Sequence, residues 1–308
     1  MDCEVEPKSR RLDQRIAPHC SHFCVGALSV EVAGSRLEDV ALVPTLQPFR
    51  SQNQSSDIHI QIEWAASLDS RPGRPLFHSG SVWSLYDDGA GFHFDFRTPA
   101  FGDRPYKRLS VDRTFRQATL HMSEECIAPG YSFAPLDYPL DELLIMHRLT
   151  QEKAIELHSC GIVLPDGTGN LFVGHSEAGK STTTRLWTAN EDVEVLSDDR
   201  IIVRRDDRTQ QQIPHRAWRP VRNDKRKMRM YGTPWHGEAK YASPGSAPLA
   251  RILILEHGRG NVLTPLSPSQ AVAELFARSF VPFHRHEYVD SALQFLQEVA
   301  DTVPVYRY

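Results

Sequence analysis

Between residues 174 and 181 the chain reads Gly-His-Ser-Glu-Ala-Gly-Lys-Ser, a pattern of two glycines, a lysine and a hydroxyl that occurs once. A loop of this kind needs a buried strand to deliver it and a helix to leave it, so that its backbone N–H groups converge at a helix N-terminus. The flanks supply both. Asn170-Leu171-Phe172-Val173 is a short apolar run suited to a buried strand, and Ser181-Thr182-Thr183-Thr184-Arg185-Leu186-Trp187 can open a helix. In that setting the glycines let backbone amides turn inward around phosphate groups, and the helix end adds positive potential. Gly174, Ser176, Ala178, Gly179, Lys180, Ser181 and Thr182 are therefore the candidate nucleotide-binding residues. Lys180 would reach the β- and γ-phosphates, and the Ser181 hydroxyl would help hold Mg²⁺. The bland alternative is a strand-to-helix turn that carries an exposed lysine.

A second constellation follows at short range. Val193-Glu194-Val195-Leu196 has strand character and runs into Ser197-Asp198-Asp199-Arg200. Carboxylates at the C-terminal end of a buried strand sit where ligands bind in open α/β sheets. Adjacent side chains on a strand point to opposite faces, so the two acids can divide labour. Asp199, with Ser181, is the candidate metal partner, and Asp198 is the candidate base for an attacking hydroxyl. The span from Lys180 to Asp198 holds about three helical turns and one strand, which makes the two strands near neighbours. A polar turn after a strand is the competing reading.

The rest of the chain bounds the function more than it specifies it. A net charge of -4 gives no pull toward nucleic acid or an anionic membrane. No apolar run approaches the roughly 18 residues that span a bilayer, and Met1 to Gln14 is polar with no signal-peptide core, so a cytoplasmic location is expected. Five scattered cysteines make a poor disulfide framework and fit a reducing compartment. His19-Cys20-Ser21-His22-Phe23-Cys24 groups four metal-ligand types, but Phe23-Cys24-Val25 reads more simply as the start of a strand.

Residues 22 to 125 read as β-rich. Asp57 to Trp64 alternates polar and apolar, Ser81 to Tyr86 and Gly91 to Phe96 flank a hairpin turn at Asp87-Asp88-Gly89-Ala90, and Tyr106 to Val111 and Gln117 to Met122 suggest another pair. A proline-rich stretch from Pro129 to Pro139 marks a linker or surface loop. Asp137 is expected to cap a helix through Leu140, Leu143, Leu144 and Leu149. This division predicts an accessory β-rich domain over 1–135 and a nucleotide-binding domain over 136–308. Ser269 to Phe280 reads as a further helix, with Val272, Leu275, Phe276 and Ser279 on one face, and His284 and His286 are expected on a surface loop.

Leu157-His158-Ser159-Cys160-Gly161-Ile162-Val163, the glycine loop, and Leu196-Ser197-Asp198-Asp199-Arg200 together resemble the catalytic core of bacterial HPr kinase/phosphorylase. The wider resemblance is to the phosphoenolpyruvate-carboxykinase-like P-loop proteins, over roughly residues 150 to 300, about half the chain. It implies an α/β fold: a P-loop nucleotide-binding domain of HPr kinase/carboxykinase type, behind a β-rich N-terminal domain. It implies ATP and Mg²⁺ as cofactors, and phosphoryl transfer to a hydroxyl, serine foremost, of a peptide, protein or small-molecule acceptor. Asp198, His158 and Lys180 become the catalytic candidates, with His158 a supporting polar group. Tyr231 to Glu238 resembles a segment of uncharacterised relatives, which makes His236 and Glu238 candidates for the acceptor side. Arg278 resembles a basic position of the same relatives that would meet the γ-phosphate.

The chain departs from the family at named places. Glu177 stands where glycine is usual, putting a carboxylate in the phosphate cradle, and Thr182 stands where the bifunctional enzymes carry an acid. The glycine-rich signature for the HPr substrate is absent. A nucleotide-binding regulator or scaffold that keeps the loop without the chemistry is the alternative function, and a carboxykinase-like lyase a third. A basic run from His215 to Met230 reads as a solvated hairpin face or as a contact for an acidic or phosphorylated partner. ATP against GTP, and a homo-oligomer, stay open.

Overall fold

The computed structural model describes residues 19–53, 55–69, 72–80, 82–127, 134–190, 192–206, 228–258, 260 and 262–308. The polar N-terminal stretch, Cys3, part of the proline-rich stretch and the basic run through Lys227 lie outside the described residues.

The first sheet holds eight strands: β1 (His19–Val25), β2 (Leu28–Gly34), β3 (Ile58–Ala65), β4 (Arg74–His78), β5 (Trp83–Asp87), β6 (Gly91–Phe96), β7 (Lys107–Asp112) and β8 (Gln117–Ser123). Their order is β1-β2-β3-β8-β7-β6-β5-β4. The alternation read in β3 is realised physically: Ile58, Ile60 and Ile62 are buried, while Gln61 and Glu63 face water. β3 pairs parallel with both β2 and β8, and the others in this sheet run antiparallel.

Helix α1 (Leu140–Leu149) leads to the second sheet: β9 (Ala154–Val163), β10 (Gly169–Val173), helix α2 (Lys180–Asn190), β11 (Glu194–Ser197), β12 (Arg200–Arg205), β13 (Met228–Gly232) and β14 (Ser246–Ile254). It closes with β15 (Thr264–Pro265), α3 (Pro268–Phe276), β16 (Ser279–Phe280), α4 (His286–Thr302) and β17 (Val305–Arg307). The expected α/β P-loop fold of HPr kinase/carboxykinase type is corrected here, because the chain is β-rich. Two sheets of eight and nine strands dominate its few helices, and most second-sheet pairings are antiparallel. The long strand β9 takes β10, β11, β12 and β16 as antiparallel partners, and among the described residues β10–β14 and β14–β17 are the parallel pairs of this sheet. A strand-loop-helix unit is local, whereas strand direction is decided by distant partners, so the loop motif did not carry the sheet with it.

The hydrophobic core crosses residue 135. Leu136, Leu140, Leu143 and Leu144 share one buried cluster with Phe92, Phe94 and Phe115 of the first sheet and with Ile202, Trp235 and Tyr288 from later in the chain. Arg204 of β12 adds a polar tie, donating to the Gly26 carbonyl between β1 and β2 at 2.8 Å.

Three local expectations change. Asp137 does not cap α1 with its side chain: its carbonyl accepts from the Leu140 N–H at 2.9 Å, while its carboxylate pairs with fully buried Lys107. The Lys107 ammonium is a more demanding partner than a helix amide. Helix α3 ends at Phe276, because β16 pairs Ser279 and Phe280 with Leu157 and Glu156 on the edge of β9. Its start is a capping box between Ser267 and Gln270 with Pro268 in the first turn. His284 is half-buried against His147, their rings 5.2 Å apart, rather than on a surface loop. No helix among the described residues is long and apolar enough to cross a membrane.

Candidate functional site

The glycine loop leaves β10 and enters α2 at Lys180. Gly174 packs so closely that a Cβ there would lie 2.7 Å from the Ala178 Cβ. Two loop residues are left-handed, Glu177 at φ 69° and Gly179 at φ 98°. Glu177 thus occupies a backbone state that glycine adopts freely and other residues resist by about 1 kcal/mol. Its residue is exposed, and its carbonyl accepts from His257 Nε2 at 3.0 Å. Ser176 and Thr182 are exposed, and Ser181 is half-buried on the first turn of α2. Lys180 is buried, with Nζ donating to the Gly174 and His175 carbonyls at 2.9 and 3.0 Å. Burial foremost lowers its pKa to about 8, with the Arg200 charge acting the same way.

β11 and β12 follow one another antiparallel along β9, and Asp198 and Asp199 fill the break between them. Asp198 is 2% exposed, and its Oδ1 and Oδ2 accept the Gly237 and Ala239 backbone N–H groups at 3.0 and 2.9 Å. Asp199 turns the other way, to His158 Nε2 at 2.9 Å and to the Arg200 guanidinium. Register explains the meeting, since β9 and β12 pair His158 opposite Arg200. Burial, then the Lys180 and Arg200 charges, lowers the His158 pKa to about 4, while its Nε2 faces Asp199 Oδ1 at 2.9 Å. Cys160 on the same strand is buried, and burial foremost pushes its thiol up to about 12, which leaves it without nucleophilic character.

The segment after β13 acts as the clamp on this pair. The Thr233 hydroxyl donates to the Arg200 carbonyl at 2.7 Å, the Ser197 hydroxyl donates to the Trp235 carbonyl at 3.3 Å, and the Trp235 indole N–H donates to Asp141 Oδ2 at 2.9 Å. His236 turns Nδ1 to the neighbouring Gly237 carbonyl at 3.0 Å, and Glu238 is exposed. Arg278 lies near the glycine loop, where its charge is the first cause of the lowered His175 pKa. Its guanidinium is held by Glu274, which also binds Arg307 at 3.0 Å.

Lys180 is in electrostatic reach of His158 and Asp198, His158 contacts Asp199, and the Arg278 charge reaches His175 of the loop. Sequence reasoning missed the Gly237 and Ala239 amides, because backbone donors leave no side-chain signature. It also missed Arg200 and its buried partners Glu142 and Glu156, although Arg200 adjoins the acidic pair. Among the described residues no group of three or more His, Cys, Asp and Glu is placed to hold a metal ion. The oxygens of Ser181, Asp198 and Asp199 are the hard donors that suit Mg²⁺, which takes one or two carboxylates and leaves its other positions to phosphate and water.

Gly237 is the tightest test of this geometry. A Cβ there would lie 2.9 Å from Asp198 Oδ2 and 3.3 Å from the Asp199 Cβ. Gly237→Ala should displace the clamp and weaken Mg²⁺-dependent nucleotide binding about tenfold, roughly the loss of one charge-assisted hydrogen bond. Titration with a fluorescent ATP analogue, with and without Mg²⁺, reads it; an unchanged Mg²⁺-dependent affinity would show that the clamp does not matter. A scan against protein-family models finds no match for this chain, and a search of curated proteins finds none either.

Proposed function

We propose that the chain is an ATP- and Mg²⁺-dependent phosphotransferase that phosphorylates a hydroxyl, serine foremost, of a peptide, protein or small acceptor in the cytoplasm. The observation that carries the reading is Asp198: a buried carboxylate, fixed by two backbone N–H groups, whose charge acts on the glycine-loop lysine. Bound Mg·ATP supplies the transferable phosphoryl group and the cation that offsets its charge. Lys180 exchanges its loop carbonyls for phosphate oxygens, and the amides of 174–181 and the start of α2 hold the phosphate chain. Asp198 orients the acceptor hydroxyl and takes its proton as the acceptor oxygen bonds to the γ-phosphorus and the bridging P–O bond breaks toward ADP. His158 pairs with Asp199 and holds its carboxylate in place. Fixed charges and position, rather than covalent chemistry by the protein, supply the rate.

Glu177 motivates the non-catalytic alternative, and its exposure weakens the case that its carboxylate crowds the phosphates. Incubation with Mg²⁺, γ-labelled ATP and a library of serine peptides tests the proposal. Label should pass to a peptide, and Asp198→Asn should lower transfer more than about a thousandfold while ATP still binds. Transfer that survives Asp198→Asn would remove Asp198 from the chemistry.

A further inference from the structure

Glu156 stands two positions before His158 on β9, so both side chains leave the same face of the strand, and β12 pairs Arg200 opposite His158 on that face. The Arg200 guanidinium contacts Asp199 and Glu142 of α1, lies 3.5 Å from Glu156 Oε1, and sits 4.6 Å from the centroid of the Phe280 ring. Glu156 is 0% exposed, and no N–H or O–H group among the described residues reaches either of its oxygens. Its hydrogen-bond neighbour is a second carboxyl group, that of buried Glu142. Two ionised carboxylates have no hydrogen to place between them, so this contact requires one proton. The surrounding charges agree. Among the described residues Arg200 is the cation in ion-pair contact with Glu156, and it already serves Asp199 and Glu142. Asp141 adds a further acid and Tyr138 a phenol, while Lys107 pairs with Asp137. Phe280 of β16 and Tyr288 and Ser291 of α4 border the same cavity as Glu156 and bring no charge. Burial foremost, then the Glu142 charge, raises the Glu156 pKa well above the usual carboxylate range.

We infer that Glu156 is a positioning residue held as a neutral carboxylic acid: its O–H donates to Glu142, Glu142 holds Arg200, and Arg200 fixes Asp199 beside His158. The inference deepens the proposed function and rests on it for the claim that a fixed Asp199 serves phosphoryl transfer. An ionised Glu156 would set a second negative charge against Glu142 and draw the guanidinium away from Asp199. An apolar residue in its place would leave Glu142 without its donor and free to turn. Only the neutral acid both satisfies Glu142 and leaves Arg200 to the carboxylates on either side of it. Helix α1 is thereby linked to the acidic pair, and through its buried leucines to the core of the first sheet.

Infrared difference spectroscopy of the full chain tests the proton without nucleotide. At about pH 8 an ordinary carboxyl group is ionised, and so is Asp141 with its pKa of about 6. The parent minus Glu156→Gln should then show the carbonyl stretch of a protonated carboxylic acid, and its absence overturns the inference. The link to Asp199 is read on the His158 ring resonances by NMR, assigned by their loss in His158→Gln. Glutamine keeps a neutral donor to Glu142, so Glu156→Gln should leave these resonances in place, whereas Glu156→Leu should move them. Glu142→Gln, which loosens the grip on Arg200, should move them too and serves if Glu156→Leu does not fold. Resonances that stay put in every folded variant, or that move as far with glutamine as with leucine at 156, overturn the positioning role. In the peptide assay Glu156→Leu should lower kcat about tenfold at unchanged KM for ATP, and Glu156→Gln should restore it. No transfer by any form, the parent included, would defeat the proposed phosphotransferase, and the infrared band and the His158 resonances would still decide the role of Glu156.

Discussion

Lys180→Ala is expected to weaken ATP binding about a hundredfold, from loss of charge-assisted hydrogen bonds to two phosphates worth roughly 3 kcal/mol together. In the free protein the Lys180 ammonium spends its donors on the Gly174 and His175 carbonyls. These are neutral acceptors, and an anionic phosphate oxygen is the stronger partner. The exchange therefore favours the nucleotide, and the start of α2 adds to it without needing the lysine. Alanine leaves the two carbonyls beside an exposed loop, where water can reach them, so the fold should survive. The pH profile separates charge from shape. With its pKa lowered to about 8 by burial, Lys180 begins to lose its proton near neutral pH in the free protein. ATP affinity of the parent should fall as the pH rises through that value, and the variant should show no such fall. Fluorescence titration of a labelled ATP analogue across the range measures both. Binding by Lys180→Ala at the parent's affinity would show that the loop does not use its lysine.

What could be read from the sequence was local. The β3 alternation, the β6 run from Gly91 to Phe96 and the strand-loop-helix around Lys180 depend on residues within a few positions of one another, and each is found in place. The acidic pair was visible for the same reason. Sheet direction was not visible, because β9 chooses four antiparallel partners drawn from 169 to 280, and nothing near Leu157 records that choice. The Asp198 clamp was hidden because it consists of backbone amides forty residues away in chain, at 237 and 239. Asp137 misled because a helix cap and an ion pair want the same carboxylate, and Lys107 was thirty residues distant. Arg200 was overlooked because its meaning lies in Glu142 and Glu156, which no spacing connects to it.

The same distance effect hid His147. Its ring is 1% exposed and is surrounded by Phe94, Phe115, His284 and Tyr288, which come from β6, the turn after β7, and the approach to and first turn of α4. Nδ1 lies 2.6 Å from the Leu143 carbonyl and so carries the proton, while Nε2 is buried without a partner. Protonation would put a second N–H, and a charge, in an apolar cluster. Burial foremost, with the His284 charge acting the same way, lowers its pKa from 6.5 to about 3. The sign of the consequence is fixed: the unfolded chain binds this proton below 6.5 and the native chain does not, so stability is full above that pH and lost as the pH falls toward 3. By about pH 4 the group alone should cost about 3 kcal/mol. His284, with its own pKa lowered to about 4, pulls in the same direction. Asp141, raised to about 6 by burial, pulls the other way, so the parent's pH curve alone does not isolate His147. His147→Phe does. It keeps a ring in the cluster and removes the titration, with the Leu143 carbonyl still served by the helix. At about pH 7 the variant should equal the parent or fall short by about 1 kcal/mol, and at about pH 4 it should be the more stable of the two. Urea unfolding at both values measures the difference, and a difference that stays constant with pH would show that His147 titrates alike in the native and unfolded chain.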